Sequence, residues 1–400
     1  MINKGKIIKK NLFFFIYQEL EFHNFFPTAL EIKRKYSDFT IYFVFTNFSK
    51  YKEIVKHKFI EKELKKNFKL YVFKGSKNYI TQKFFSITNN IKLLLKLMFG
   101  KKTLIFFPRL SMLNQDFIVY LCKFFGGKII YLSPDRFCHS TSLMNREQFK
   151  KGIIDNKKKI NFFDYFVFFN KDNFIYNYIK NLHNTDSKKI IHIGLPNMYS
   201  TWKNLIKKAA LQIKKNLIHK HKSYSSIYTI IGGKDGDSQF LKSNKSQHDS
   251  LLRIINNLCL NDPKCLILFK GHPRQPMPIY LKKVLEKIKS KKIIQTSVNV
   301  DILSLISKRF FFTSPTGVLT HTQNVKKIDF SDYRKKFNKN FFKGYRVLHI
   351  NSKNSSTSEK LNKLIFDDKF FSDKRNYNKE VDLIKKNYPK IHSLIKEINN

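Results

Sequence analysis

The chain has 400 residues, 42% of them hydrophobic, and a formal charge of +48, which is enough apolar material to bury cores in two domains. No apolar run reaches the roughly 18 residues that a membrane-spanning helix needs, and no zinc-finger, basic-zipper or RNA-recognition signature accompanies the charge, so no nucleic-acid partner is expected. The four cysteines form no CxxC pair, and Cys122, Cys259 and Cys265 sit in apolar stretches, which excludes a disulfide scaffold and fits a reducing cytoplasm.

The first six-residue apolar block, Leu12–Tyr17, is too short for a signal peptide and lacks a small-residue cleavage site, so it reads as a strand. Further strands are expected at Thr40–Phe45, Leu70–Phe73, Thr103–Phe107, Lys128–Leu132, Tyr165–Phe169 and Ile190–Ile193, with helices between them. The clearest helices are Asn78–Phe99 and Met112–Phe125, the second closed by Gly126 and Gly127. This alternation predicts βαβ units on a parallel sheet. Near 218–226 the periodicity lapses, which reads as a hinge, and the alternation then resumes. Leu251, Ile254, Ile255 and Leu258 form one apolar helical stripe, and Leu281, Val284, Leu285 and Ile288 form another. Residues 351–358 read as a polar loop, and Ile391, Leu394, Ile395 and Ile398 as a last helix beginning at Pro389. The expected architecture is α/β, with two doubly wound Rossmann-like domains facing across a cleft: residues 1–218, residues 219–375, and a C-terminal helix over 376–400.

Three segments of the second half run from a buried strand into a polar loop: residues 226–238, 265–274 and 309–317. Parallel strands would bring these loops to one sheet edge, where open α/β sheets bind ligands. Gly232 and Gly233 let a ligand approach the backbone closely, and Asp235, with Asp237 as its rival, is placed to take a proton from a hydroxyl. In the turn Lys270-Gly271-His272-Pro273-Arg274, the flanking glycine and proline fix the imidazole above the strand end. His272, Lys270 and Arg274 are then phosphate partners. Ser314 and Pro315 have the chemistry of a helix start, and Ser314 and Thr316 add hydroxyls to that anion site. The Asp-Gly-Asp triplet is too slight a match to imply a metal, and none is expected.

The order of an acidic-Gly loop, a Lys-x-His-Pro turn and a serine loop over 226–320 resembles the bacterial sialyltransferases and the related capsule and lipooligosaccharide glycosyltransferases of GT-B fold. That likeness implies Asp235 as general base, His272 as the group assisting departure of the nucleotide phosphate, and Ser314 as a phosphate-binding serine. It also implies a metal-independent transfer with no cofactor beyond the nucleotide-sugar donor, CMP-linked in the closest relatives. Lys234 stands where the family has its first acid, and Pro315 and Thr316 follow Ser314 where a second serine is usual. Asp135, after the strand ending at Leu132, is a spare base.

The expected function is thus transfer of a sugar, sialic acid or a related one, onto a glycan or lipid-linked glycan acceptor. The alternatives are a UDP-sugar 2-epimerase-like enzyme, which would need carboxylates that the second half is short of, and a non-enzymatic polyanion-binding protein. Only ten of the 77 basic residues are arginine, and Lys, Asn, Ile and Phe are enriched together, the mark of AT-rich codons. A lysine-rich surface still attracts anionic headgroups. The expected location is the cytoplasm, with peripheral attachment at the inner face of the membrane.

Overall fold

Five consecutive side chains, Leu12 to Ile16, are fully buried, so the first strand must be covered on both faces, as an interior strand of a parallel sheet is. The computed structural model describes residues 10–73, 91–93, 95–96, 103–108, 116–133, 162–169, 190–233, 241, 244–272, 275, 277–288, 293–314, 318, 325–331, 333, 346–350, 358–374 and 391–399. In chain order the first elements are β1 (Lys10–Ile16), α1 (Glu19–Lys35), β2 (Phe39–Phe45), α2 (Phe48–Val55), α3 (Lys58–Asn67), β3 (Lys69–Val72), β4 (Thr103–Phe107), α4 (Asp116–Phe124), β5 (Lys128–Leu132), β6 (Tyr165–Phe168) and β7 (Ile190–His192). All seven strands are parallel, in the order β3-β2-β1-β4-β5-β6-β7.

Aromatic rings fill this first core. Phe14 stacks on Phe106 at 4.4 Å, Phe13 on Tyr42 at 4.5 Å and Phe15 on Phe107 at 4.6 Å, each pair bridging adjacent strands. Helix α1 starts where the Glu21 carboxylate accepts the backbone N–H of Gln18 at 2.8 Å. Helix α4 ends as expected at Gly126, whose φ of +72° belongs to the left-handed region. A Cβ at the next residue, Gly127, would lie 2.3 Å from the Cys122 Sγ, so glycine is required there for space.

The second set comprises α5 (Ser200–Lys220), β8 (Ser226–Ile231), α6 (Asn244–Asn261), β9 (Cys265–Lys270), α7 (Ile279–Ile288), β10 (Ile293–Gln295), α8 (Val300–Ile306), β11 (Arg309–Phe312), β12 (Lys326–Asp329), β13 (Val347–His349), α9 (Ser358–Phe366), α10 (Lys369–Ser372) and, at the end of the chain, α11 (Ile391–Asn399). Its six parallel strands run β10-β9-β8-β11-β12-β13. The α6 stripe of Leu251, Ile254, Ile255 and Leu258 and the α7 residues Leu281 and Val284 pack in one core with Ile230, Ile267 and Phe311. Three strands of this sheet carry no clear signal in the sequence. Strands β10 and β13 have three residues each, and β12 reads Lys-Lys-Ile-Asp although its Lys327 and Asp329 are buried.

The chain divides into one unit of Met1–Lys203 with Asn387–Asn400 and another of Asn204–Lys386. The boundary therefore falls within α5 and not at 218, because the amphipathic helix continues unbroken to Lys220 and Trp202 in its first turn sits edge-on to Phe26 of α1. Residues 376–400 are likewise not a separate piece. Helix α11 buries Ile391, Leu394 and Ile395 in the first unit, where the Tyr36 hydroxyl hydrogen-bonds His392 Nδ1 at 2.9 Å. Of the expected helix Asn78–Phe99, residues 91–93 and 95–96 are helical and the rest lies outside the described residues, as do Pro389 and most of 351–358.

Candidate functional site

The register of the second sheet lines up Lys270, Ile231, Phe312, Asp329 and His349 across five neighbouring strands, β9, β8, β11, β12 and β13. These residues end their strands, so the connections beyond them leave the sheet at one edge. Connections run outward from β8 through β9 to β10 on one side and from β11 through β12 to β13 on the other. The winding thus reverses between β8 and β11, which is where the chain must part and where open α/β sheets hold ligands.

Two of the sequence-derived loops straddle that point. Gly232 and Gly233 follow β8 and are buried, and the Gly232 N–H donates to the Lys270 carbonyl at 3.0 Å. Thr313 and Ser314 follow β11, with Ser314 buried and the Thr313 N–H donating to the Ile231 carbonyl at 3.3 Å. The third loop follows β9. Its Lys270 Nζ donates to the Ser297 carbonyl at 3.3 Å, and His272 is half-buried in a tight turn closed by the Gln275 N–H on the His272 carbonyl at 2.9 Å. Strands β9 and β11 flank β8, so their ends lie roughly 10 Å apart. Gly232, Gly233, Lys270, His272 and Ser314 therefore share one edge. Asp235, Asp237, Arg274, Thr316, Pro315 and the spare base Asp135 lie outside the described residues.

Sequence reading passed over five residues at this edge. Thr313 is 1% exposed, and its hydroxyl has no hydrogen-bond partner among the described residues. A buried hydroxyl left unpaired is costly unless a ligand or water completes it. The other four are Asp329, which is fully buried, and the three residues around it. Its carboxylate accepts from the Ser331 N–H at 3.1 Å, the Ser331 hydroxyl at 2.6 Å and the Tyr333 hydroxyl at 2.8 Å, and it meets His349 Nδ1 at 3.0 Å. Burial, and then the Asp329 charge, hold the Tyr333 phenol well above its ordinary pKa, so it stays a neutral donor. The one sequence signal was the run Asp-Phe-Ser-Asp-Tyr after two lysines, which does not resemble a strand end. No group of three or more His, Cys, Asp or Glu side chains able to hold a metal ion occurs among the described residues.

No protein-family model matches the sequence, and no curated protein matches it. Among solved structures the chain is similar to UDP-GlcNAc 2-epimerase from Neisseria meningitidis bound to UDP-GlcNAc, at 11% identity and a TM-score of 0.57, over 98% of this chain and 99% of that one. It is similar to UDP-GlcNAc 2-epimerase from Methanocaldococcus jannaschii at 14% identity and a TM-score of 0.56, over 94% and 98%. The wall teichoic acid polymerase TagF matches at 12% identity and a TM-score of 0.51, over 98% and 89%. The chain has the GT-B fold. Identities this low establish the architecture of two parallel-sheet Rossmann-like units and leave the chemistry to the site.

Proposed function

We propose that this chain is a GT-B glycosyltransferase that takes a sugar from a nucleotide donor held at the carboxy-terminal edge of the second sheet. The observation that carries the reading is the unpaired, buried Thr313 hydroxyl beside Ser314 at the point where the winding reverses, opposite the Gly232-Gly233 backbone. Lys270 and His272 supply positive charge and a proton donor on the neighbouring strand end, a set suited to a nucleotide phosphate.

In this reading an acceptor hydroxyl attacks the anomeric carbon as the bond from that carbon to the phosphate oxygen breaks. Asp235 takes the hydroxyl proton. The electron pair leaves on the phosphate, stabilised by His272 and Ser314 without a metal. A CMP-linked sialic acid or related donor and a surface-glycan or lipid-linked acceptor, of the kind built into capsules or lipooligosaccharides, complete the proposal. So does work at the inner face of an anionic membrane; no described helix is long and apolar enough to cross one.

A second reading, epimerisation of a UDP-sugar, is favoured by the likeness to two UDP-GlcNAc 2-epimerases. Against it, Asp329 is the carboxylate that the described edge offers, and it is already engaged by four polar groups of three residues. Purified protein titrated with CMP-, UDP- and GDP-sugars tests both. One nucleotide should raise the melting temperature saturably, and acceptor should then be required for release of free nucleotide. Conversion of the sugar without acceptor, the nucleotide staying attached, would establish the epimerase. Equal stabilisation by any polyanion would end both.

A further inference from the structure

Helix α5 is the longest helix described and has two unlike faces. Its inner stripe is buried at Trp202, Ile206, Ala209 and Ala210 and half-buried at Ile213 and Leu217. On the opposite side Lys207, Leu211, Lys214, Ile218 and Lys222 recur at spacings of four, three, four and four, which is a single stripe of an α-helix continued into the turn beyond it. Leu211 is 72% exposed and Ile218 47%, and Lys214, Lys215 and Lys222 line the same surface around them.

From Ser200 to Lys222 there are seven lysines and no aspartate or glutamate. Helix α1 differs: its Glu31 pairs with Arg34 and Lys35. Lys207, Lys214, Lys215 and Lys222 are exposed and make no ion pair among the described residues, so no described acid offsets their charge.

We propose that this outer face is a docking surface for an anionic lipid bilayer, with the helix lying flat, Leu211 and Ile218 entering the acyl boundary and the lysines meeting headgroup phosphates. Charge complementarity selects the partner. A second copy of the same face would bring like charges together, whereas an anionic surface relieves them. Two bare aliphatic side chains in the middle of the cationic stripe favour a bilayer over a nucleic acid, whose recognition draws on arginine forks and stacking aromatics; the outer stripe has neither. From Lys207 to Lys222 the stripe extends about 22 Å at 1.5 Å per residue, long enough to contact several headgroups at once. The docking surface adds a place to the membrane-associated reading above and stands or falls without sugar transfer.

The test is sedimentation of full-length protein with vesicles of phosphatidylcholine alone or with 30% phosphatidylglycerol, in the absence of donor and acceptor. Binding is expected only with the anionic lipid. The triple variant Lys214→Glu/Lys215→Glu/Lys222→Glu should need at least tenfold more lipid for half-saturation. A control of equal net charge on α7 and α9, Lys282→Glu/Lys283→Glu/Lys363→Glu, should change it less than threefold. Leu211→Ser/Ile218→Ser should abolish the binding that survives in 0.5 M salt, and circular dichroism checks that all variants remain folded. Three outcomes would overturn the assignment: no vesicle binding, equal loss in the α7/α9 control, or competition by short RNA with no dependence on Leu211 and Ile218.

Discussion

The two sheets share parallel winding and differ at their carboxy-terminal edges. In the first sheet β1, β2, β4, β5 and β6 end on Ile16, Phe45, Phe107, Leu132 and Phe168, all buried, and stacked rings continue the core up to the edge. In the second, β9, β12 and β13 end on Lys270, Asp329 and His349, while β8 and β11 end on the buried Ile231 and Phe312 and run on into Gly232 and Thr313, so the edge is polar, glycine-bearing and hydrogen-bonded. The same architecture thus yields one sheet whose strand ends serve packing and another whose strand ends can hold a charged ligand. A ligand site is a property of the residues at and beyond the strand ends, not of the sheet.

The largest effect that would sharpen this contrast is in the aromatic core. Phe14→Ala removes a fully buried ring stacked on Phe106 and should cost about 3–5 kcal/mol by chemical denaturation. At the other edge His272→Ala should lower sugar transfer by about 10²–10³ while leaving the melting temperature in place. Wild-type turnover in that variant would break the functional half of the comparison.

Glu31 comes next, a carboxylate serving structure in the first unit. Burial works to raise its pKa, but hydrogen bonds from Thr201 at 2.5 Å and from Arg34 at 2.9 Å, with Lys35 nearby, hold it below the usual value of 4.5. A depressed carboxylate stabilises the fold at pH above its unfolded value, and that contribution is lost as pH falls through the folded value. Glu31→Gln should therefore be destabilised by about 1–3 kcal/mol at pH 7, and its stability should draw together with that of wild type as pH falls below the usual value of 4.5.

Thr313→Val separates ligand from scaffold, since the hydroxyl has no described partner to lose. Stability without ligand should not fall and should rise by up to about 1 kcal/mol, the unpaired hydroxyl being removed, while nucleotide affinity falls about fivefold, read by calorimetry. A fall in stability with unchanged affinity would mark the hydroxyl as structural. The smallest effect is at Cys122. Burial, and then the Asp164 charge, push its thiol up to about 12, so in the native protein it should resist thiol reagents at pH 8 over the time in which the unfolded chain reacts fully.

Ten of the thirteen described strands were legible as short apolar runs, because a strand covered on both faces must be apolar and its ends are marked by glycine, proline or charge. The three that were not, β10, β12 and β13, are short, and β12 buries Lys327 and Asp329. Buried charge is readable only through its partners, and for Asp329 these are Ser331, Tyr333 and a histidine twenty residues away. The domain boundary was misplaced for a related reason. Polar composition near 218–226 resembles a hinge, yet it covers the exposed end of a continuous helix and the turn that leads into β8, and which unit a helix joins depends on contacts that the sequence does not write down.

By itself the sequence determined the alternation of strand and helix, the parallel winding, and the residue types Gly232, Gly233, Lys270, His272 and Ser314 at the strand ends, since each is a matter of local pattern and burial. Only the tertiary structure decided that these strands are neighbours in one register, that the winding reverses between β8 and β11, that Thr313 and Asp329 belong to the same edge, and that α11 returns to the first unit. Each of these depends on pairing between segments tens of residues apart, where hydrogen-bond register and side-chain shape choose among arrangements that hydrophobicity alone leaves equal.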